Sequence, residues 1–478
     1  MQKNVVKHLF YVQIFVSLSV KYVQKNVVNS TKYMQKSVIK HTNQVQKNVI
    51  TDMERLALQE LRKWKNRVDR KPLILNGARQ VGKTWLLREF AKREYAKEAY
   101  VTCRKNHLAK QIFTQDFDAK RILRALSALT GVDISPGDTL IILDEVQDIP
   151  EAIESLKYFC EEAPEYHIAV AGSLLGISLH KGVSFPVGKI DELNVYPMNF
   201  PEFLMAKGEY EMYKLLQDRD IQTISLIHDK YVDILRQYYY VGGMPEVVKK
   251  FIETGALQET RRIQLNILRG YDLDFSKHAP ETEVPRIRMV WKSIPSQLFK
   301  ENKKFIYGAL RKGARAIDFE IAIQWLADAG LVYKVPRCKK LELPLGIYED
   351  FSAFKLYLSD VGLLGAMVNV EPAQILINND IFSEYKGGMT EQYVLQQMIS
   401  RNETPIYYYK TDNSRLELDF VIQKEGKLLP IEVKAEGNVR ANSLSRMLKE
   451  NPKQTALRYS MLPYKEQEQL TNVPLYLV

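Results

Sequence analysis

One eight-residue stretch constrains this chain more than any other: Gly77-Ala78-Arg79-Gln80-Val81-Gly82-Lys83-Thr84. It follows the apolar run Leu73-Ile74-Leu75 and leads into a helical pattern through Leu86, Leu87 and Phe90. A G-x-x-x-x-G-K-T segment between a strand and a helix is the signature of a phosphate-binding loop. Gly77 and Gly82 let the backbone N–H groups curl around phosphate oxygens, and the helix beginning near Lys83 adds the positive end of its dipole. Lys83 is expected to reach the β- and γ-phosphates of ATP, and the Thr84 hydroxyl to bind Mg²⁺.

A second stretch completes that expectation. Thr139 to Gln147 reads TLIILDEVQ, a continuous apolar run ending in Asp144-Glu145. Such a run suits a central parallel strand covered on both faces. Asp144 at its carboxyl end can hold Mg²⁺ through water, and Glu145 can polarise the attacking water. A third strand, HIAVAG at 167–172, ends in Ser173. A polar group there can sense the γ-phosphate, or simply cap the following turn. The catalytic set read from the sequence is therefore Lys83, Asp144, Glu145 and Ser173.

At 478 residues the chain has room for several domains. Cys103, Cys160 and Cys338 lie far apart with no C-x-x-C pair, which disfavours a disulfide framework or a cysteine zinc site and points to a reducing, cytoplasmic setting. The net charge of +11 is unevenly placed: residues 1–52 and 281–340 carry +7 each, leaving the remainder near −3. Attraction to nucleic acid is thus expected in those segments.

The first 55 residues repeat every eleven, with Gln2, Gln13, Gln24, Gln35 and Gln46 marking the register. An eleven-residue period can support a right-handed coiled coil, but Val and Asn are mediocre helix formers. We read residues 1–52 as a short tandem DNA repeat translated in frame ahead of a start at Met53, a tail without a native fold. The apolar run at 9–20 is too short to span a bilayer, and no membrane partner is expected.

Residues 196–270 are helical in pattern, a lid or linker with VGGMPEVV turning into a helix. Gly242-Gly243 permits positive φ and Pro245 suits a first helical turn. Residues 284–340 form a further helical unit in which Phe319, Ile323, Leu326 and Gly330 fall at helical spacing. Its cationic residues include Lys300, Lys303, Lys304, Arg311, Lys312, Arg315, Lys334, Arg337, Lys339 and Lys340. They can serve as a DNA-docking surface or as the solvated face of a packing module.

Toward the C-terminus, LELDFVIQKEGKLLPIEVK (416–434) reads as two strands around a turn. Glu417 and Asp419 share one face of the first; Glu432 and Lys434 share one face of the second. Upstream, Glu391 falls in a helix after Gly387-Gly388. Asp419 and Glu432 could ligate Mg²⁺, Lys434 could orient water, and Glu417 is a second ligand or a bystander.

Taken together, GARQVGKT, LDEVQ, AGSLLG, FPVGKIDELNVYPMNFPEFL, YYYVGGMPEVV, FKLYLSDVGLL and YKGGMTEQYV resemble the bacterial and archaeal AAA-type ATPases that carry a C-terminal domain of unknown function related to restriction endonucleases. The resemblance spans about Met53 to Val478. It implies an α/β fold: a P-loop NTPase core with a parallel sheet at 53–195, a helical lid at 196–270, a winged-helix-like module at 271–340 and a restriction-endonuclease-like domain at 341–478. In that layout Glu391, Asp419, Glu432 and Lys434, with Glu417 beside them, would be a nuclease site. The family usually carries an arginine where this chain has Lys189, and lysine lacks the planar fork that bridges phosphate oxygens. No arginine finger is therefore assigned. The leading expectation is an ATPase coupling nucleotide state to a nucleic-acid-associated domain, with DNA contacted through 281–340 and the C-terminal domain and with assembly into a homo-oligomer open. The alternatives are an ATP-gated, Mg²⁺-dependent nuclease and an ATP-dependent protein-interaction switch.

Overall fold

The computed structural model describes residues 54–173, 175–178, 185–372, 383–402, 405–412, 416–435 and 442–478. The eleven-residue repeat, and with it the reading of residues 1–52, lies outside the described residues.

Five strands build the first sheet: β1 (Leu73–Asn76), β2 (Lys97–Thr102), β3 (Thr139–Asp144), β4 (His167–Ala171) and β5 (Asp191–Asn194). Their spatial order is β2-β3-β4-β1-β5, and every pairing is parallel. β3 is buried along its whole length, as its unbroken apolar run requires. Ile122, Leu126, Ile153 and Leu156 from the flanking helices pack with Ile141, Leu143, Ile168 and Val170 of the sheet. Each such aliphatic side chain contributes about 1.5–3 kcal/mol when fully buried. The carboxyl ends of β1, β3 and β4 converge, where ligands of open parallel sheets are held. Helix α1 (Lys83–Glu94) starts there, directly from the P-loop.

Helices α2 (His228–Val241), α3 (Leu257–His278), α4 (Val284–Leu298) and α5 (Glu320–Asp328) follow. The apolar spacing through Gly330 continues past the helix, which ends at Asp328; Gly330 takes φ +70° and turns the chain into the next strand.

A second, mixed sheet has eight strands: β6 (Val332–Cys338), β7 (Glu349–Leu358), β8 (Ile406–Lys410), β9 (Glu417–Lys424), β10 (Lys427–Val433), β11 (Ala456–Ser460), β12 (Lys465–Glu466) and β13 (Leu470–Pro474), in the order β12-β13-β11-β10-β9-β8-β6-β7. β6 forms an antiparallel hairpin with β7 and pairs with β8 in parallel. The boundary expected between 340 and 341 therefore falls inside a hairpin, and the C-terminal sheet begins at Val332. The β9–β10 turn is tight, with Glu425 at φ +51° and Gly426 at φ +71°, the double left-handed geometry of a two-residue hairpin loop.

Motifs far apart in sequence meet at one buried joint between these parts, which also includes α6 (Val361–Met367) and α7 (Ser383–Ser400). Asp360 caps α6 by accepting from Leu363 N at 2.9 Å and accepts from Gly243 N at 2.6 Å. Gln396 of α7 donates to the Tyr238 hydroxyl, which donates to Met198 O at 2.5 Å. Gln397 accepts from Phe200 N at 2.8 Å. Of the two glycines expected to use positive φ, only Gly242 does, at +74°. Gly243 is required for space instead: a Cβ there would lie 2.0 Å from Met198 O. Burial raises the Asp360 carboxyl to about 6 despite the hydrogen bonds from Gly243 and Leu363.

Candidate nucleotide site and C-terminal charge cluster

The P-loop has the backbone its sequence anticipates. Gly77, Gln80 and Gly82 take φ of +138°, +68° and +91°, which shapes a concavity of backbone N–H groups suited to an anion. A Cβ at Gly77 would lie 2.1 Å from Val195 O, so glycine is needed there for space as well. Lys83 is buried and donates to Gly77 O at 2.7 Å and Ala78 O at 2.8 Å. Burial lowers its ammonium to about 8, while Glu145 and Asp144 act the other way.

Thr84 Oγ1 lies 3.1 and 3.0 Å from the two Asp144 carboxylate oxygens. A hydroxyl and a carboxylate so placed at a phosphate loop fit a hard divalent cation. Thr84 and Asp144 would hold Mg²⁺, which when bound neutralises phosphate charge. Tyr100 adds a contact that local sequence spacing does not reveal. Its hydroxyl donates to Asp144 Oδ2 at 2.9 Å, and its ring is covered by the Arg88 guanidinium at 5.1 Å.

Glu145 sits at φ +52°, a conformation uncommon outside glycine and often found at working sites. Its Oε2 accepts from Gln147 Nε2 at 2.6 Å and from Ser173 Oγ at 3.2 Å. Burial pushes this carboxyl up, but Gln147, Ser173, Arg79 and Lys83 more than offset it and leave it below the ordinary range. Glu145 is thus an anion with fixed orientation, able to accept a hydrogen bond from water. Lys83, Thr84, Asp144, Glu145 and Ser173 come together at one place. Lys189 pairs with Glu161 at 2.9 Å.

The rest of the chain clasps this loop. Arg55, itself buried, donates to Val81 O at 2.9 Å, to Tyr196 O at 2.8 Å and to Glu202 at 3.0 Å. From α3, Asp274 forms an ion pair with Arg79, and the Tyr271 hydroxyl donates to Arg79 O at 3.0 Å. A Cβ at Gly330 would lie 2.9 Å from Ala78 N, so the turn after α5 rests on the P-loop backbone. None of these partners lies within a hundred residues of the loop except Arg55, and no short motif announces them.

At the other end of the chain, the residues singled out in sequence also gather. Glu391 of α7 forms an ion pair with Lys303, accepts from the Tyr357 hydroxyl at 3.1 Å and lies 3.6 Å from Lys355 Nζ. Glu417 pairs with Lys410 at 2.7 Å and with Lys355 at 3.4 Å. Glu432 pairs with Lys434 at 2.6 Å, and Asp419 accepts from Val433 N at 2.7 Å. Burial, then Glu391 and Glu432, raise Asp419 well above the carboxylate range. Glu391 is also raised by burial, but Lys303 and Lys355 outweigh this and hold it ionised.

The cationic residues of 281–340 are partly consumed inside the protein. Arg337 pairs with Asp350 at 2.6 Å and Lys339 with the same carboxylate at 3.8 Å, an acid outside the segment. Lys334 lies over the Phe354 ring at 4.7 Å. Formal charge therefore overstates the cationic surface this segment offers.

Residues 69–204 match the AAA domain family. Residues 232–374 match a domain of unknown function (DUF8612), and residues 386–477 match another (DUF4143). No curated protein matches the chain in sequence. Among solved structures, the Walker-type ATPase of Pyrococcus abyssi is similar at 15% identity, TM-score 0.43, over 66% of this chain and 96% of that one. The Aeropyrum pernix Orc1 protein, solved in complex with DNA, overlaps at 15% identity, TM-score 0.25, over 66% and 91%. The Thermotoga maritima RuvB Holliday junction branch migration motor overlaps at 16% identity, TM-score 0.25, over 63% and 90%. No helix among the described residues is long and apolar enough to cross a membrane.

Proposed function

We propose that the chain is an ATP-hydrolysing switch whose nucleotide state is read by the helical region packed on its P-loop. The carrying observation is the Arg79–Asp274 ion pair with the Tyr271 hydroxyl on the Arg79 carbonyl. A phosphate entering the loop competes with Asp274 for the Arg79 guanidinium and with two loop carbonyls for the Lys83 ammonium. Binding therefore changes what α3 touches, which is the differential contact a switch requires.

In hydrolysis, the P-loop N–H groups and Lys83 hold the β- and γ-phosphates. Thr84 and Asp144 hold Mg²⁺, Glu145 orients the attacking water and Ser173 orients Glu145. Nucleic acid is the proposed output partner. Lys300, Lys304, Lys312 and Arg315 support this, as cationic residues in the region that α3 leads into. ATP turnover measured alone, with DNA and with RNA tests the reading. Turnover that is lost in Glu145→Gln and raised by nucleic acid at low salt supports it. Turnover indifferent to Glu145→Gln contradicts it.

A further inference from the structure

Glu391, Asp419 and Glu432 are the carboxylates that a divalent-metal nuclease of the expected kind would need. The residues around them do not fit such an ion. Lys303 pairs with Glu391, Lys355 lies 3.6 Å from Glu391 and 3.4 Å from Glu417, and Lys434 lies 2.6 Å from Glu432. Asp419 is engaged by Val433 N at 2.7 Å. With Lys410 on Glu417, four ammonium groups stand among four acids, so the carboxylate charge is already matched before any ion enters. Among the described residues, no three or more His, Cys, Asp or Glu side chains are arranged to share a metal.

The source of Lys303 matters. It lies between α4 and the turn at Tyr307–Ala309, within 232–374, whereas Glu391 lies in the segment 386–477. The strap carrying it is tied down just after Lys303, to α4 and to β7. Ile306 N donates to Gln297 at 2.6 Å and Phe305 N to Phe354 O at 2.8 Å. At Gly388, one turn before Glu391, a Cβ would lie 2.5 Å from the Phe299 ring and 2.9 Å from Leu298 O. The backbone of α7 thus rests on the end of α4.

We infer that Lys303 is a tethered counter-ion standing where a metal would have to bind, so that the C-terminal acids form a metal-free ionic strap between the two domains. Removing one partner of a buried pair leaves the other charge uncompensated. Two measurements on the nucleotide-free full chain test this. In Mn²⁺ titrations followed by electron paramagnetic resonance, wild type and Asp419→Asn are expected to bind equal amounts. In thermal melts, Lys303→Met is expected to lower Tm by several degrees, and adding Glu391→Gln to it should recover at least half of the loss, because a neutral amide needs no counter-ion. One Mn²⁺ equivalent bound by wild type and lost in Asp419→Asn would overturn the inference, as would a Lys303→Met protein that melts like wild type. If Lys303→Met does not fold, the comparison of wild type with Asp419→Asn decides the matter alone.

Discussion

Arg79, the third residue of the P-loop, forms an ion pair with Asp274 on α3, while Tyr271, one turn earlier on that helix, holds the Arg79 carbonyl at 3.0 Å. Asp274 thereby sets a buried negative charge beside a loop built for phosphate. Asp274→Asn should tighten ATP binding, by about fifteen- to twentyfold if unit charges interact across some 10 Å at an effective dielectric near 20. Arg79→Ala should weaken it. Titration with a fluorescent ATP analogue distinguishes the two directions, and weaker binding in Asp274→Asn would contradict the arrangement.

Lys83 and Glu145 should separate binding from chemistry. Lys83→Ala removes the ammonium at the phosphates and should abolish measurable ATP binding. Glu145→Gln should still bind ATP but turn over at least about a hundredfold more slowly, the usual range for loss of a positioned base. Ser173→Ala should lose less, because Gln147 still holds Glu145 at 2.6 Å.

The Lys83 shift predicts a proton signature. Its ammonium stands at about 8 in the folded protein against an ordinary 10.5. A base lowered on folding binds fewer protons in the folded state between those two values. Its destabilising effect is therefore full below pH 8 and fades as pH rises toward 10.5. Phosphate restores the ammonium, so ATP binding above pH 8 should take up as much as one proton. Calorimetry in two buffers of different ionisation enthalpy measures that uptake; none at pH 9 would refute the assignment.

Gly243 tests the joint. Alanine there would meet Met198 O at 2.0 Å, and the backbone on both sides is hydrogen-bonded in place. Gly243→Ala should cost about 2–3 kcal/mol in a chemical denaturation curve, as overpacked sites do. Gly131→Ala is the contrast: unlike Gly243 it has a positive φ, +68°, but an added Cβ meets nothing within 4 Å. It should cost only about 1 kcal/mol.

The geometry of the candidate nucleotide site was legible because its residues are close in sequence and their order encodes strand, turn and helix. Gly77 to Thr84 and Asp144-Glu145 lie where the motif and the apolar runs say they should. The partners that complete the site were not legible. Tyr100, Asp274, Tyr271 and Gly330 reach it through tertiary packing, and a single tyrosine or aspartate on a helix carries no local pattern. The C-terminal acids were legible as a set through strand alternation at 417–419 and 432–434. What neutralises them was not: Lys303 and Lys355 come from a loop and a strand that precede them in the chain. Charge counting likewise pointed to 281–340, but could not show that Lys303, Arg337 and Lys339 spend their charge on Glu391 and Asp350.

Hydrogen–deuterium exchange across Leu257–His278, with and without a slowly hydrolysed ATP analogue, tests the switch most directly. The account predicts that the analogue changes exchange in this helix around Tyr271 and Asp274 in the wild type, and that Asp274→Asn loses most of that change while still binding the analogue. An identical exchange pattern in wild type with and without bound analogue would contradict it.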